Sequence, residues 1–203
     1  MEQVRKLLED EFSTAASIIA EAFFRDPLSV HAFPVDEERR RKLPQHFEML
    51  IRYAHEFGAV FGIGQPLRAC AIWLLPGNTE ITEDRMAQTG LGRAPELLGE
   101  EEMARFDAVF QTLEVCHRQS MPENHWYLQV IGTSPEAQGK GYGARLIGHV
   151  LERADASGHP CYLETVAPAN IPFYDRLGFR QVHHSIDSSS GLPVWAFRRD
   201  SVE

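Results

Sequence analysis

Gln138-Gly139-Lys140-Gly141-Tyr142-Gly143 is the stretch whose residue types and spacing point most directly to chemistry. Three glycines at alternate positions carry no Cβ, so successive backbone N–H groups stand open to an approaching anion. Ala144-Arg145-Leu146-Ile147 continues in a helical pattern, and the unpaired donors and dipole of a helix start add to the same attraction. An apolar run, Trp126 to Ile131, leads into the loop. A strand, a glycine loop and a helix N-terminus together make a phosphate cradle.

Periodicity supplies the elements that must hold this loop. Gln3 to Leu7 reads as a short first strand, and Asp10 to Arg25 as a helix with Phe12, Ala16, Ile19, Ala20 and Phe23 on one side. Asp26-Pro27 ends it, because a residue before proline avoids the helical region. Leu28 to Pro34, holding His31 and Phe33, is expected to be irregular, with Asp26 a helix-end residue. A second helix is predicted from about Asp36 to His55, with Leu43, Phe47, Leu50, Ile51 and Ala54 inward and the charged run Glu37 to Arg41 solvated. Gly58–Ile63 and Leu67–Leu75 form a hairpin across Gly64-Gln65-Pro66. Residues 81–120 are helical with breaks at Gly90-Leu91-Gly92 and Gly99, and Ala104, Val109, Phe110 and Leu113 are expected on a buried side. Beyond the glycine loop come a helix to about Ala156, a strand Cys161–Val166 and a short helix Ala169–Leu177, with Asn170 as N-cap and Gly178 as C-terminal cap. Strands Phe179–Ile186 and Pro193–Arg199 flank a Ser-rich turn. The expectation is an α/β (α+β) domain over residues 1–203, a mixed sheet with helices on both faces.

Composition narrows the partners. With 203 residues, 43% of them hydrophobic and 24% charged, the chain reads as a soluble globular protein able to bury a sizeable core. A net charge of −9 argues against nucleic acid and acidic membrane surfaces and leans toward cationic partners such as amines. Cys70, Cys116 and Cys161 are odd in number and widely spaced, which suggests free thiols in a reducing, cytoplasmic setting rather than a disulfide framework. No ligand spacing suggests a metal: adjacent His183 and His184 would point to opposite faces of a strand. Met1 to Arg5 is no signal peptide, and no apolar run is long enough to span a bilayer.

Three anion loops compete for the cradle. A P-loop needs Ser or Thr after Gly-Lys to reach magnesium, and Gly141 stands there instead. A dinucleotide turn needs a third glycine where Leu146 lies, and it starts at the strand end, whereas Gly132 to Ala137 intervene here. Glu164 lies near where a ribose-binding acid would sit and keeps that option open. The third is the pyrophosphate loop of acetyl-CoA-dependent transferases, Gln or Arg, two residues, Gly, one residue, Gly or Ala, which Gln138, Gly141 and Gly143 match. Its context is present: a strand before it, Pro135 in the connecting turn, then helix, strand, and Asn170-Ile171-Pro172-Phe173-Tyr174-Asp175-Arg176-Leu177-Gly178-Phe179.

On these residues the chain resembles the GCN5-related N-acetyltransferase (GNAT) family, specifically from Trp126 to about Val182 and in element order over nearly the whole chain. Within it, Gly139 to Gly143, Leu163-Glu164-Thr165 and Ala167 to Phe179 look most like the puromycin N-acetyltransferase-like branch. The resemblance implies a mostly antiparallel sheet splayed at its centre, an acetyl-CoA-binding core over about 126–182, and acetyl-CoA as co-substrate. It implies that an amine attacks the thioester directly, through a tetrahedral intermediate. The pyrophosphate would take backbone N–H groups of Gly139, Gly141, Gly143 and Ala144, with Gln138 shaping the loop, Tyr142 within it, and Lys140 and Arg145 as candidate phosphate cations. The pantetheine arm would pair with backbone around Ile131 and Thr133, a backbone N–H near Ile131 would face the oxyanion, and Asn170 would bond the arm.

Tyr174, four residues after Asn170, is the implied general acid for the leaving thiolate; a phenol, with pKa about 10, stays protonated at neutral pH. Glu164 is the candidate base or else a structural acid, and His31 a weaker candidate for the acceptor site. Trp73 and Trp126 are read as core. The acceptor is expected to be a small-molecule primary amine, the protein a monomer or homodimer. A protein or peptide acetyltransferase, and a non-catalytic acetyl-CoA-binding regulator, are the alternatives. Residues 81–120 would close over a small acceptor.

Overall fold

Among residues 2–202, which the structure describes, the computed structural model forms a seven-stranded sheet. Its strands are β1 (Arg5–Lys6), β2 (Gly58–Ile63), β3 (Ala69–Leu74), β4 (Trp126–Thr133), β5 (Cys161–Thr165), β6 (Arg180–Ile186) and β7 (Pro193–Arg199). They lie in the order β1-β2-β3-β4-β5-β7-β6. Every pairing is antiparallel except β4 with β5. The helices are α1 (Phe12–Phe23), α2 (Pro27–Ala32), α3 (Asp36–Phe57), α4 (Glu83–Thr89), α5 (Ala94–Leu98), α6 (Glu100–Ser120), α7 (Tyr142–Ser157) and α8 (Ile171–Arg176).

The run Ala-Cys-Ala-Ile-Trp-Leu of β3 is apolar throughout because the strand is covered on both sides. Cys70, Ile72 and Leu74 join the core that α1 and α3 close. Ala69, Ala71 and Trp73 join the core beneath α7, with Leu146, Ile147 and Val150. Each large side chain buried this way contributes about 1.5–3 kcal/mol. Trp73 is fully buried and Trp126 partly so.

Two irregularities make room for a site. Ile72 pairs with Val130 but the next residue, Trp73, pairs with Leu128, so Gln129 is an extra residue on β4. The bulge shifts the strand's alternation by one: Tyr127 and Val130 both face the α1/α3 core, while Leu128 faces α7. Secondly, β4 and β5 are paired only at Trp126–Cys161 and Tyr127–Tyr162. Beyond those residues the strands part, which is the splay expected at the centre of the sheet.

Four expectations need correction. Residues 28–34 are not irregular throughout: α2 occupies most of them, because Pro27 fits a first helical turn and Asp26 caps it, accepting from the Leu28 amide at 3.0 Å. The charged run is not wholly solvated. Arg39 is 1% exposed, donates to the carbonyls of Phe24 (2.9 Å) and Phe33 (2.5 Å) and pairs with Asp36, clamping the α1–α2–α3 corner. On α6 the buried stripe is Met103, Phe106, Val109, Leu113 and Cys116, and Ala104 is exposed. The stripe is set by contacts with distant elements, which local periodicity does not register. Asn170 stands at the start of α8, but its side chain makes no cap; it donates to Thr165 Oγ1 at 3.3 Å instead.

Polar ties fix α6 across the α1–α3 side. Lys42 of α3 bridges Glu38 and Glu102 at 2.7 and 2.6 Å. Arg105 donates to the carbonyl of Ala32 at 3.0 and 3.1 Å. At the far end Thr112 donates to Asp187.

Candidate active site

The glycine loop has the geometry its composition suggested. Gly139 and Gly141 have φ of +75° and +81°, and nothing lies within 4 Å of a Cβ built on either. Only glycine takes that backbone without strain. The first amide to bond within α7 is that of Arg145, to the Gly141 carbonyl at 3.1 Å. The amides of Tyr142, Gly143 and Ala144 are therefore left at the helix start without an intrahelical acceptor. Gly143 stands close to its neighbours instead: a Cβ there would meet Phe173 Cζ at 3.3 Å, a tight contact, and Ile131 Cδ1 at 3.7 Å, an ordinary one. Gln138 donates to the carbonyl of Thr133 at 3.4 Å and braces the loop against the end of β4.

A cavity of about 920 Å³ runs from this loop, through the gap between β4 and β5, to a chamber under α6. Ile131, Thr133, Gln138, Gly139, Gly141, Tyr142, Gly143, Ala144, Glu164, Asn170 and Tyr174 all border it. Lys140 does not, and Arg145 is directed to the carbonyl of Glu2. His31, on α2, is also outside the lining. The chamber walls include Phe23 of α1, His46 and Phe47 of α3, and Phe106, Phe110 and Leu113 of α6.

Tyr174 projects from α8 into the cavity and is 6% exposed, packed against Phe173, Phe179 and Phe197. Burial, and then the nearby Asp26 carboxylate, push its phenol above the ordinary range. It therefore remains a protonated donor at any physiological pH. Glu164 borders the cavity from β5, and its buried Oε1 has no hydrogen-bond partner among the described residues. Burial raises its pKa to about 7, against the pull of the Tyr127 and Tyr162 hydroxyls. A carboxyl poised there can exchange a proton near neutrality.

Sequence reasoning missed several neighbours. Gln129, the bulged residue, borders the cavity with both side-chain amide atoms buried and unpartnered among the described residues. A polar residue inside the apolar run Trp126 to Ile131 was the available signal. The sequence makes Asp26 a helix-end residue. It is one, but it also lines the cavity, and burial lifts its pKa to about 6. Behind Glu164, His117 stacks on Tyr162 at 4.7 Å and lies 2.6 Å, Nε2 to Nε2, from His125. His125 Nδ1 is 2.7 Å from the Glu123 carbonyl, so it carries the proton, and His117 Nε2–H donates to His125 Nε2. No sequence spacing announced this pair.

Comparison with known proteins agrees with the geometry. Residues 103–179 match the family model described as the acetyltransferase (GNAT) family. An uncharacterized N-acetyltransferase of Schizosaccharomyces pombe is 30% identical over 175 residues, covering 83% of this chain and 70% of the relative. Among solved structures, a histone acetyltransferase HPA2 and related acetyltransferase from Corynebacterium glutamicum aligns over 100% of this chain and 97% of its own, with a TM-score of 0.72 and 22% identity. The polyamine N-acetyltransferase of Drosophila melanogaster aligns over 98% and 100%, with a TM-score of 0.59 and 17% identity. The last two share the fold. With the sequence relative and the family model beside them, the chain belongs to the GNAT family of acetyltransferases, enzymes that carry an acetyl group from acetyl-CoA to an amine.

Proposed function

We propose that this chain acetylates a small-molecule primary amine, with Tyr174 as general acid and Glu164 as general base. The observation that carries the reading is the cavity that joins the glycine loop to a chamber walled by side chains of α1, α3 and α6. The aromatic walls that α1, α3 and α6 bring around the chamber, Phe23, Phe47, Phe106 and Phe110, suit the body of a small acceptor.

Acetyl-CoA, when bound, supplies a thioester carbonyl as the electrophile. The chain's residues suit it: open glycines and free helix-start amides for the diphosphate, and unpaired β4 and β5 backbone for the arm. The Gln129 amide, buried without a partner, has a donor and an acceptor to offer the arm or the carbonyl. Glu164 takes the proton that an ammonium must lose before attack. Tyr174 gives its hydroxyl proton to the departing sulfur and recovers one from the nitrogen, which sheds its second proton as the amide forms. Asn170, held by Thr165, steadies the arm at the mouth. The similarity of Leu163–Thr165 and Ala167–Phe179 to the puromycin N-acetyltransferase-like branch supports a small acceptor without naming it.

The test is thiol release, corrected for acetyl-CoA hydrolysis, over arylalkylamines, polyamines, amino acids and a set of lysine and N-terminal peptides. Small amines should give saturable release and an N-acetylated product by mass. Release with peptides alone would replace this reading with a protein acetyltransferase, and tight acetyl-CoA binding without any release would replace it with a regulator.

A further inference from the structure

The chamber holds a polar group that acetyl transfer leaves unused. His46, on α3, is 3% exposed, yet neither ring nitrogen has a hydrogen-bond partner among the described residues. Its ring lies 4.7 Å from Phe106 and 5.4 Å from Phe47, and all three line the cavity. Burial lowers its pKa to about 4, so at neutral pH the ring is uncharged, with one N–H donor and one lone pair. Buried polar groups are nearly always paired, and one that is not calls for an explanation. Both nitrogens are covered, but the ring borders a cavity, so a ligand whose binding turns the ring toward the cavity can supply the partner.

The charges on the cavity wall sort the rest of the ligand. Its lining carboxylates are Asp26 and Glu164; Asp26 acts on the Tyr174 phenol, which places it beside the proposed acid, and Glu164 is the proposed base. The lining cations, Arg25 and Arg176, are both exposed. Around His46 the walls are Phe23, Phe47, Leu50, Phe106 and Phe110. An ammonium is therefore matched at one end and an apolar body in the chamber. A second cationic centre placed among the phenylalanines would meet no carboxylate and would lose its hydration uncompensated.

Building on the acetyl-transfer reading, we propose that the acceptor is a primary amine on an aromatic or branched apolar body that ends in a neutral hydrogen-bonding group, and that His46 is the specificity-determining residue for that group. A site that hydrogen-bonds a substrate hydroxyl discriminates strongly against the analogue lacking it, since the buried partner is then left unpaired.

The experiment compares kcat/KM for tyramine, 2-phenylethylamine and spermidine at saturating acetyl-CoA, in wild type and in His46→Leu. Wild type should prefer either arylalkylamine to spermidine by roughly tenfold or more, and tyramine to its deoxy parent by a similar factor. In His46→Leu the tyramine preference should fall to within about twofold of unity, with the KM for acetyl-CoA unmoved. Preference for spermidine, or an unchanged ratio in the variant, would overturn the proposal. If the leucine variant does not fold, the wild-type ratio decides, and a value near one overturns it. Thiol release with none of the three, but with other amines, would overturn the acceptor class alone; release with no amine would overturn the transfer reading as well.

Discussion

Thr112 of α6 donates a 2.5 Å hydrogen bond to Asp187 in the turn between β6 and β7, and this bond ties the roof of the chamber to the far edge of the sheet. Asp187 is 1% exposed and also accepts from the Ser189 and Ser190 hydroxyls, both at 2.6 Å, and from the Ser190 amide at 2.8 Å. Burial alone would raise its pKa; these donors outweigh that and hold it well below the ordinary carboxylate range. Asp187→Ala leaves several donors facing nothing and should cost about 2–4 kcal/mol of stability. Because α6 loses its tether, the KM for the amine should rise several-fold while that for acetyl-CoA stays put. Urea titration and two-substrate kinetics check both parts.

Tyr174→Phe removes the proton donor and keeps the ring among Phe173, Phe179 and Phe197. Turnover should drop by roughly 10²–10⁴-fold with acetyl-CoA affinity nearly unchanged. A variant within a few-fold of wild type would remove Tyr174 from the mechanism.

The pKa of Glu164, raised by burial to about 7, sets a direction for the pH profile. A base works only when deprotonated, so kcat/KM should climb through about pH 7 and level off above it. Glu164→Gln should flatten that limb and lower the plateau. A limb that persists in the variant would assign the base to another group, Asp26 first.

Much of this site was legible because its signals are local. The glycine spacing, the strand before it and the helix after it lie within 32 residues, Trp126 to Ser157, and each carries its own pattern. Asn170 and Tyr174 share one short segment for the same reason. What escaped reading depends on partners far away in the chain. Arg39 and Lys42 look like solvated charges until Phe24, Phe33 and Glu102 are brought to them. Gln129 becomes a bulge only through its pairing with β3. His46 has helical neighbours of ordinary kind, and its burial comes from α6, which packs Phe106 against it.

Buried neutral histidines also leave a mark on stability. His46 and His117, at about 4 and about 3, titrate below the ordinary value of 6.5, the first by burial and the second by burial and by its neighbours His125 and Arg118. The unfolded chain takes up protons below about pH 6.5 and the folded chain does not, so their contribution is whole above that pH and is lost as pH falls toward 4 and 3. Glu164 and Asp26, whose pKa values are raised, act with the opposite sign in part of the same window. The difference between wild type and His46→Leu isolates one group: the variant should gain on wild type as pH drops from 7 to 5, approaching about 2 kcal/mol. Equal slopes in paired thermal or urea titrations would show that His46 titrates normally.

On the proposed reading, amine and thioester meet in one cleft and react without a covalent enzyme intermediate. Burial pushes the thiols of Cys70 and Cys161 up to about 12 and raises that of Cys116 as well, so the described cysteines offer no ready thiolate. Initial rates with acetyl-CoA and the best amine varied together test this most directly. Intersecting double-reciprocal lines, the signature of a ternary complex, are the predicted result; parallel lines, with acetyl-enzyme trapped in the absence of amine, would contradict it.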